Sequence, residues 1–348
     1  MPVVDDPGDP APDDRLFDEL LEHAILLERL KATQAAAARE KISRLVVEIV
    51  AALLLVWKDF RRQPAYYQAS YLSRWIVQQQ AVITRAYQDL AAGNLADLRR
   101  IVEIEQTAAR GMLVAAGLAP MGATTTPVNT TATVDPATVS VQGFTPAEWW
   151  NSQAVNFGNR VAQQVRVGAS LGEDAATVAA RIDGEPGGVA NGAMRDAASV
   201  AALGLATVAG LARQTVFDAS GAGSVMHLSV LDGRTTEVCT ARAGRRWTLP
   251  GHEPIGHDLA FAVPPLHWAC RSYLTLLAGD SSPKFPTFID WLKAREAADP
   301  GFAAALLGER RADLILRGVL GASDLVDLNY RALTLDEFEA LVRRRYSL

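Results

Sequence analysis

The sequence predicts a mainly α-helical protein with a small α+β unit, and three observations support this fold class. Apolar residues recur at helical spacing across the first third of the chain. A nearly uncharged stretch rich in Thr and Pro interrupts that pattern, and short alternating runs typical of strands appear after Gly221. Of the 348 residues, 49% are hydrophobic, so the chain can bury a sizeable core and is long enough for two or three domains.

Composition divides the chain into five consecutive regions. Residues 1–13 are acidic and Pro-rich, lack the character of a signal peptide and are expected to be disordered. Residues 14–118 are expected to form a helical domain, and 119–143 a linker or extended arm. A helical segment leading into a compact β-rich unit is expected over 144–280, followed by a helical C-terminal extension over 281–348.

The predicted helical domain over residues 14–118 contains two apolar stripes. Each repeats at alternating spacings of three and four and therefore lies on one helix face. Asp13 or Asp14 can cap the first helix. Pro64 suits the first turn of another helix, which is expected to end near Gly93-Asn94. His23 lies on the first stripe and is predicted to be a packed or interfacial histidine. The stripes consist of Leu16, Leu20, His23, Leu27 and Leu30, and of Ile42, Val46, Ile49, Leu53 and Val56.

Three helices are predicted to precede the β-rich part. Thr145 and Glu148 form a capping box that opens a helix running to about Val167. A shorter helix fits Glu173–Ile182. The glycine-rich segment Glu185–Gly192 is expected to be a loop, followed by a long Ala-rich helix over Ala193–Ala219 whose small residues permit close approach of another helix.

The β-rich unit is predicted to contain three strands, at Ser224–Leu231, Arg245–Leu249 and Arg271–Leu277, with a turn at Asp232-Gly233. We expect this unit to dock on the preceding helices. The C-terminal extension is predicted to hold three helices. The first starts with the amphipathic set Phe285, Phe288, Trp291 and Leu292, and the second is a short helix within GERRADLILRGVLG. The third opens at a capping box on Thr334 and ends in Arg343-Arg344-Arg345.

Charge and hydropathy exclude several classes of protein. A net charge of −5 argues against a surface that binds nucleic acid over its whole area. Two cysteines cannot form a disulfide-rich secreted scaffold. The most apolar stretch, Leu45–Trp57, contains Glu48 and is shorter than the ~20 residues that span a bilayer. We therefore expect synthesis in the cytoplasm and no membrane partner.

The window Leu231–Cys270 carries the functional signal, and its first interpretation is a metal site. Cys239, His267 and Cys270 are three plausible zinc ligands, and a histidine of the intervening loop, His252 or His257, could supply the fourth. His257 completes the set that we predict. The alternatives are a buried pair of cysteines that stabilises the unit by packing, a disulfide, or free thiols.

Catalysis is a second interpretation of the same window. Cys239 and His267 could form a nucleophile and its base, and Asp232 and Glu237 could act as paired carboxylates. These carboxylates could equally pair with Arg234 and Arg271, whose guanidinium groups present paired N–H donors. No recognisable group orients the histidine, so we expect a structural unit and not an enzyme.

The window resembles the signature of the phage Mu F-like minor head proteins, also called phage head morphogenesis proteins. The resemblance covers about Thr145–Leu348, and the chain departs from the family pattern at Ser272, where the family has a further cysteine. The long helix before the signature, with Leu211–Thr215, and the segments after it also resemble the family. The matching positions are Asp232, Arg234, Thr235, Cys239, Gly244, Trp247, Pro264, Pro265, His267, Cys270 and Arg271.

The resemblance implies a low-copy component of the virion head, made in the host cytoplasm, that acts in head assembly near the portal. The implied partners are portal, major capsid or scaffold proteins, further copies of the chain, and packaged DNA. One alternative is an internal or ejected DNA-binding protein. Its candidate contacts are Arg160, Arg166, Arg195, Arg245-Arg246 and the C-terminal arginines. The other alternative is a Cys/His hydrolase or toxin-like enzyme.

Overall fold

A computed structural model describes residues 12–115, 134–183, 187–231, 235–277 and 287–325. It confirms a mainly α-helical protein with one small α+β unit. The described helices are α1 (Pro12–Phe60), α2 (Ala65–Ala115), α3 (Pro146–Leu171), α4 (Ala175–Asp183), α5 (Val189–Asp218), α6 (Glu237–Arg242), α7 (Phe288–Ala298), α8 (Phe302–Leu307), α9 (Glu309–Leu316) and a 3-10 turn (Ala322–Leu325). The described strands are β1 (Ser224–Ser229), β2 (Arg246–Thr248), β3 (Pro254–Ile255) and β4 (Ser272–Leu277).

The chain divides into two compact units that are discontinuous in sequence. The helical unit consists of Ala24–Ile104 and Val134–Ala209. The signature unit consists of Met1–His23, Glu105–Thr133 and Gly210–Leu348, as far as these segments are described. This division differs from the consecutive regions that composition indicates, because α1, α2 and α5 are long enough to contribute residues to both units.

In the helical unit, α2 continues through Gly93-Asn94, where the sequence predicted its end. Leu90 and Leu98 are buried on either side of this point, and Asn94 Oδ1 accepts a hydrogen bond from Trp150 Nε1 at 3.2 Å. A glycine within a helix costs only about 1 kcal/mol relative to alanine. Burial of one leucine contributes roughly 2 kcal/mol. Packing therefore outweighs the local signal for a helix end.

The other helical predictions for this unit are confirmed within a few residues. The capping box is present, since Thr145 Oγ1 accepts from the Glu148 amide at 3.3 Å and Glu148 Oε2 accepts from the Thr145 amide at 2.7 Å. α5 begins at Val189, four residues before the predicted start, so the predicted loop is shorter. The described end of the predicted linker is packed, with Val139 and Val141 buried.

The signature unit is built on a four-stranded antiparallel sheet in the order β3-β2-β1-β4. The three predicted strands are confirmed, and the pairing places Ser229 opposite Ser272. The sequence missed α6 and β3, which have six and two residues and are too short to show periodicity. One apolar core joins the sheet to residues of α1, α2 and α5. It contains Leu20, Ala109, Met112, Leu113, Val216, Phe217, Val225, Ala241, Trp247, Leu259, Leu274 and Leu276.

A second core in the signature unit confirms two of the predicted C-terminal helices, α7 and α9, and adds the short α8. Phe288, Leu292 and Ile315 are its buried centre. The turn at Asp232-Gly233, the capping box at Thr334 and the basic end at Arg343-Arg344-Arg345 lie outside the described residues.

Helix α5 is the one described helix that is long and apolar enough to cross a membrane by length and composition. Its most apolar 18-residue window has a mean hydropathy of 1.4, and 67% of that window is buried inside the protein. A core helix passes the same test, and this burial is typical of one.

Candidate metal centre

The structure brings Cys239, His267 and Cys270 together in the signature unit. Cys239 lies in α6, and the other two lie in the loop that leads into β4. Their Sγ and imidazole nitrogen atoms all lie within 4.8 Å of one another. Sγ of Cys239 is 3.6 Å from Sγ of Cys270 and 3.1 Å from Nε2 of His267. The three residues could therefore hold a metal ion.

The imidazole of His267 presents Nε2 to the sulfur atoms. Its Nδ1 lies 2.7 Å from the carbonyl oxygen of Trp268, and a carbonyl only accepts, so Nδ1 carries the proton of this bond. Nε2 faces Cys239, with a lone pair when the ring is neutral, which is the form that binds metal, and with an N–H donor when the ring is protonated. Metal-ligating histidines are commonly oriented by such a bond from the other ring nitrogen to a carbonyl.

Electrostatics in the cluster favour one thiolate. The hydrogen bond from Cys239 and the hydrogen bond from His267 hold the pKa of the Cys270 thiol below its usual range, although burial opposes this. The hydrogen bond between Cys239 and Cys270, together with burial, raises the pKa of the Cys239 thiol. The hydrogen bond to Cys270 raises the pKa of His267. A thiolate is the form of cysteine that binds metal.

Two hydroxyls from outside the predicted set also approach the cluster. Thr236 Oγ1 lies 2.9 Å from Nε2 of His267. Ser229 Oγ donates to the carbonyl oxygen of Cys239 at 3.1 Å and lies 3.1 Å from Ser272 Oγ. Alternation along β1 could have placed Ser229 and His227 on one face of the strand, whereas nothing in the sequence pattern singles out Thr236.

His257, predicted as the fourth metal ligand, lies outside the cluster, and so does the alternative His252. Nε2 of His257 is 2.8 Å from the carbonyl oxygen of Arg246, and its ring packs edge-on against Trp247. Nε2 of His252 is 2.8 Å from Asp218, and its ring stacks on Phe261. Both histidines follow β2 in the chain, whereas Cys270 directly precedes β4, which pairs with the opposite side of β1.

The remaining signature residues that the structure describes shape the unit around the cluster. Trp247 is fully buried and donates from Nε1 to the carbonyl oxygen of Leu259 at 2.7 Å. Gly244 has a φ of +72°, which favours glycine. Thr235 Oγ1 donates to the carbonyl oxygen of Val230 at 2.5 Å. The half-buried Pro265 and Arg271 flank the loop that carries His267 and Cys270.

The backbone of Pro264 lies very close to Gly210 of α5. A Cβ atom added at Gly210 would lie 2.4 Å from the carbonyl oxygen of Pro264, which real Cβ atoms essentially never show. Only a glycine therefore lets α5 pass this close to the loop. The small residues of α5 predicted close approach of a helix, and at Gly210 the element that approaches is instead the signature loop.

Of the residues in the predicted carboxylate pairs, the structure describes Glu237 and Arg271. Asp232 and Arg234 lie outside the described residues. Glu237 lies 3.5 Å from Nη1 of Arg311, which belongs to α9, and so has a cation partner that the sequence did not indicate.

Sequence reasoning also missed a buried ionic group in the signature unit. Glu105 is 1% exposed, and its Oε2 accepts from Nη2 of Arg213 at 2.7 Å. Nε2 of His23 lies 2.7 Å from the other carboxylate oxygen, so the histidine predicted to be packed has a charged partner. The signal for this group is weak, because its three residues are separated by 82 and 108 positions in sequence.

Comparison with known proteins adds no assignment: no protein-family model matches the chain, and no match is found among curated proteins or solved structures.

Proposed function

We propose that this chain is a minor head protein of a tailed bacteriophage that acts in head assembly near the portal, with a signature unit stabilised by a zinc ion. One observation carries the proposal. The two ends of the signature, Cys239 and the pair His267 and Cys270, lie about thirty residues apart in sequence and converge on one cluster. The resemblance of the same residues to the Mu F-like signature supplies the assignment to head assembly.

The donor atoms have spacings that suit zinc. Zn–S bonds of about 2.3 Å in a tetrahedron place two sulfurs about 3.8 Å apart, and a Zn–N bond of about 2.0 Å places nitrogen and sulfur about 3.5 Å apart. The observed separations are 3.6 Å between Cys239 and Cys270 and 3.1 Å between Cys239 and His267. When bound, zinc would cross-link α6 to the loop before β4 and stabilise a unit with small cores.

The helical unit exposes apolar side chains that support contact with other proteins. Val47, Leu54 and Leu55 of α1 are 62%, 45% and 76% exposed and share one face of the helix, since they are seven and eight residues apart. Exposed apolar patches of this kind are typical of surfaces that bind other proteins. Portal, capsid or scaffold subunits, or further copies of this chain, are the partners that we propose.

The first experiment tests the virion assignment directly. Particles purified on a density gradient from a culture that produces this chain are analysed by quantitative mass spectrometry. We expect the chain to band with portal and coat at a few copies per particle. Presence in the lysate with absence from mature particles would contradict a virion component and favour an assembly factor or an enzyme.

A variant pair then tests the partner surface. Leu55→Glu with Val47→Glu places charge on the exposed apolar face and should reduce incorporation into particles without lowering the free energy of unfolding. Arg99→Glu, a charge reversal at an exposed position of α2 in the same unit, changes the net charge by the same amount, so it is the matched control and should be incorporated normally. Equal incorporation of all three proteins would exclude this face as the docking surface.

A further inference from the structure

Thr236 immediately precedes α6, but its side chain does not cap the helix. Threonine at an N-cap usually accepts a hydrogen bond from an amide of the first turn. Thr236 has the extended backbone of an N-cap, with φ −75° and ψ 155°, and makes no such bond. The Cys239 amide is bonded instead by the Thr236 carbonyl at 3.0 Å. The hydroxyl of Thr236 is therefore directed away from the helix.

That hydroxyl points into the cysteine–histidine cluster. Oγ1 of Thr236 lies 2.9 Å from Nε2 of His267, the atom that faces Cys239. In a tetrahedral zinc site, nitrogen and oxygen ligands at about 2.0 Å from the metal are about 3.3 Å apart. The observed distance of 2.9 Å between Thr236 Oγ1 and His267 Nε2 is close to the spacing of two ligands of one ion. A water molecule between the hydroxyl and the metal would require a longer distance.

A second hydroxyl near the sulfur atoms, that of Ser272, is also bonded to a residue of the sheet. Ser272 hydrogen-bonds the Cys239 sulfur, and its Oγ also lies 3.1 Å from Ser229 Oγ. Ser229 in turn donates to the Cys239 carbonyl and lies 3.2 Å from Nδ1 of the buried His227. This network supports the cluster from the sheet side. Among the residues that the structure describes, no fourth His, Cys, Asp or Glu joins the group.

We propose that Thr236 Oγ1 is the fourth donor of the metal centre, completing a set of two sulfurs, one imidazole nitrogen and one neutral oxygen. The inference rests on the proposed zinc site at Cys239, His267 and Cys270. A neutral hydroxyl is a weaker zinc ligand than a thiolate or an imidazole. The centre should therefore bind zinc less tightly than a site with four sulfur or nitrogen donors.

The test measures metal binding by the full-length chain and by three variants. The metal-free proteins are titrated with Co²⁺, whose visible absorption reports ligand type and geometry, and zinc affinity is obtained by competition with a chelator. Thr236→Val keeps the shape of the side chain and removes only the oxygen, Thr236→Cys replaces the oxygen with sulfur, and Ser272→Ala removes the competing hydroxyl.

We expect Thr236→Val to weaken zinc binding roughly ten- to a hundredfold, in the range seen when groups close to a bound metal are lost. Thr236→Cys should tighten binding and intensify the sulfur-to-cobalt absorption. Ser272→Ala should keep the wild-type visible spectrum. The metal-free Thr236→Val protein loses no capping bond and only the hydrogen bond to His267, so it should melt within a few degrees of the metal-free wild type.

Failure of the inference and failure of the zinc site give different results. If the wild type binds one metal ion and Thr236→Val matches its affinity and cobalt spectrum, the fourth donor is not Thr236 while the zinc site stands. A wild type that binds no metal overturns both proposals. If Thr236→Val does not fold, Thr236→Cys decides, and an affinity no tighter than that of the wild type overturns the inference.

Discussion

The carbonyl oxygen of Trp268 lies 2.7 Å from Nδ1 of His267, the residue directly before it in the chain. This bond turns the other ring nitrogen toward the sulfur of Cys239, 28 residues away in sequence. Orientation by an immediate neighbour is a local effect of the loop before β4. The partner of Nε2, Cys239, is brought to the ring by the tertiary fold.

Removal of metal should destabilise the wild type and leave Cys270→Ser unaffected. A ligand present at a hundred times its Kd stabilises the folded state by about 2.7 kcal/mol. For domains of this size that corresponds to a fall in Tm of about 5–10 °C when a chelator removes the ion. Differential scanning calorimetry with and without chelator measures the effect. An equal chelator response of both proteins would place the metal elsewhere.

Glu105→Gln should lower the free energy of unfolding by about 3–5 kcal/mol, because it leaves the buried charge of Arg213 without its partner. Urea denaturation of the variant measures the loss. Glu103→Gln, at an exposed position of the same helix, is the control and should change stability by less than about 0.5 kcal/mol. Equal, small losses in both variants would show that the buried pair contributes little.

The free energy of unfolding should also depend on pH in the acidic range, because Glu105 is protonated there. Burial raises the pKa of Glu105, but the hydrogen bond from His23 and the charge of Arg213 outweigh it, so the pKa is lowered in the folded state. The stabilisation is then present above the pKa of the unfolded carboxyl, about 4.3, and is lost as pH falls through the folded value. Glu105→Gln should not show this loss in urea denaturation at pH 3 to 5.

His227 should stay neutral in the folded protein well below pH 6. Burial, with the nearby charge of Arg242, lowers its pKa to about 3. The unfolded chain then binds one more proton than the folded chain between the two pKa values. Stability should therefore fall by about 1.4 kcal/mol per pH unit as pH decreases below 6.5. Comparison with His227→Gln isolates this slope, and an NMR titration of the ring with a midpoint near 6.5 would contradict it.

Gly210→Ala should destabilise the signature unit, because the added methyl group collides with the backbone of Pro264. Overpacking of this kind costs typically 1–3 kcal/mol. Gly111→Ala is the matched control in a helix of the same unit, where nothing lies within 4 Å of the added atom. It should stabilise by up to about 1 kcal/mol. Thermal melts of the two variants should therefore shift in opposite directions, and shifts in the same direction would contradict the close approach.

The correct and incorrect sequence-based predictions differ in the range of the interactions behind them. The start of α3 was predicted correctly because Thr145 and Glu148 are three residues apart and bond each other. The end of α2 was predicted wrongly because burial of Leu90 and Leu98 by distant elements outweighs the local effect of Gly93. α6 was missed because six residues show no period, although it carries Cys239.

By itself the sequence determined the helical character of the chain, the three longer strands and the three metal-ligand candidates, because periodicity, caps and residue chemistry are local properties. Only the tertiary structure decided that His257 stays on the β2 side of the sheet, that Glu105 meets Arg213, and that Thr236 turns its hydroxyl from its own helix toward His267. These contacts join positions up to 108 residues apart. They depend on how whole elements pack, which no pattern within a single segment of the sequence records.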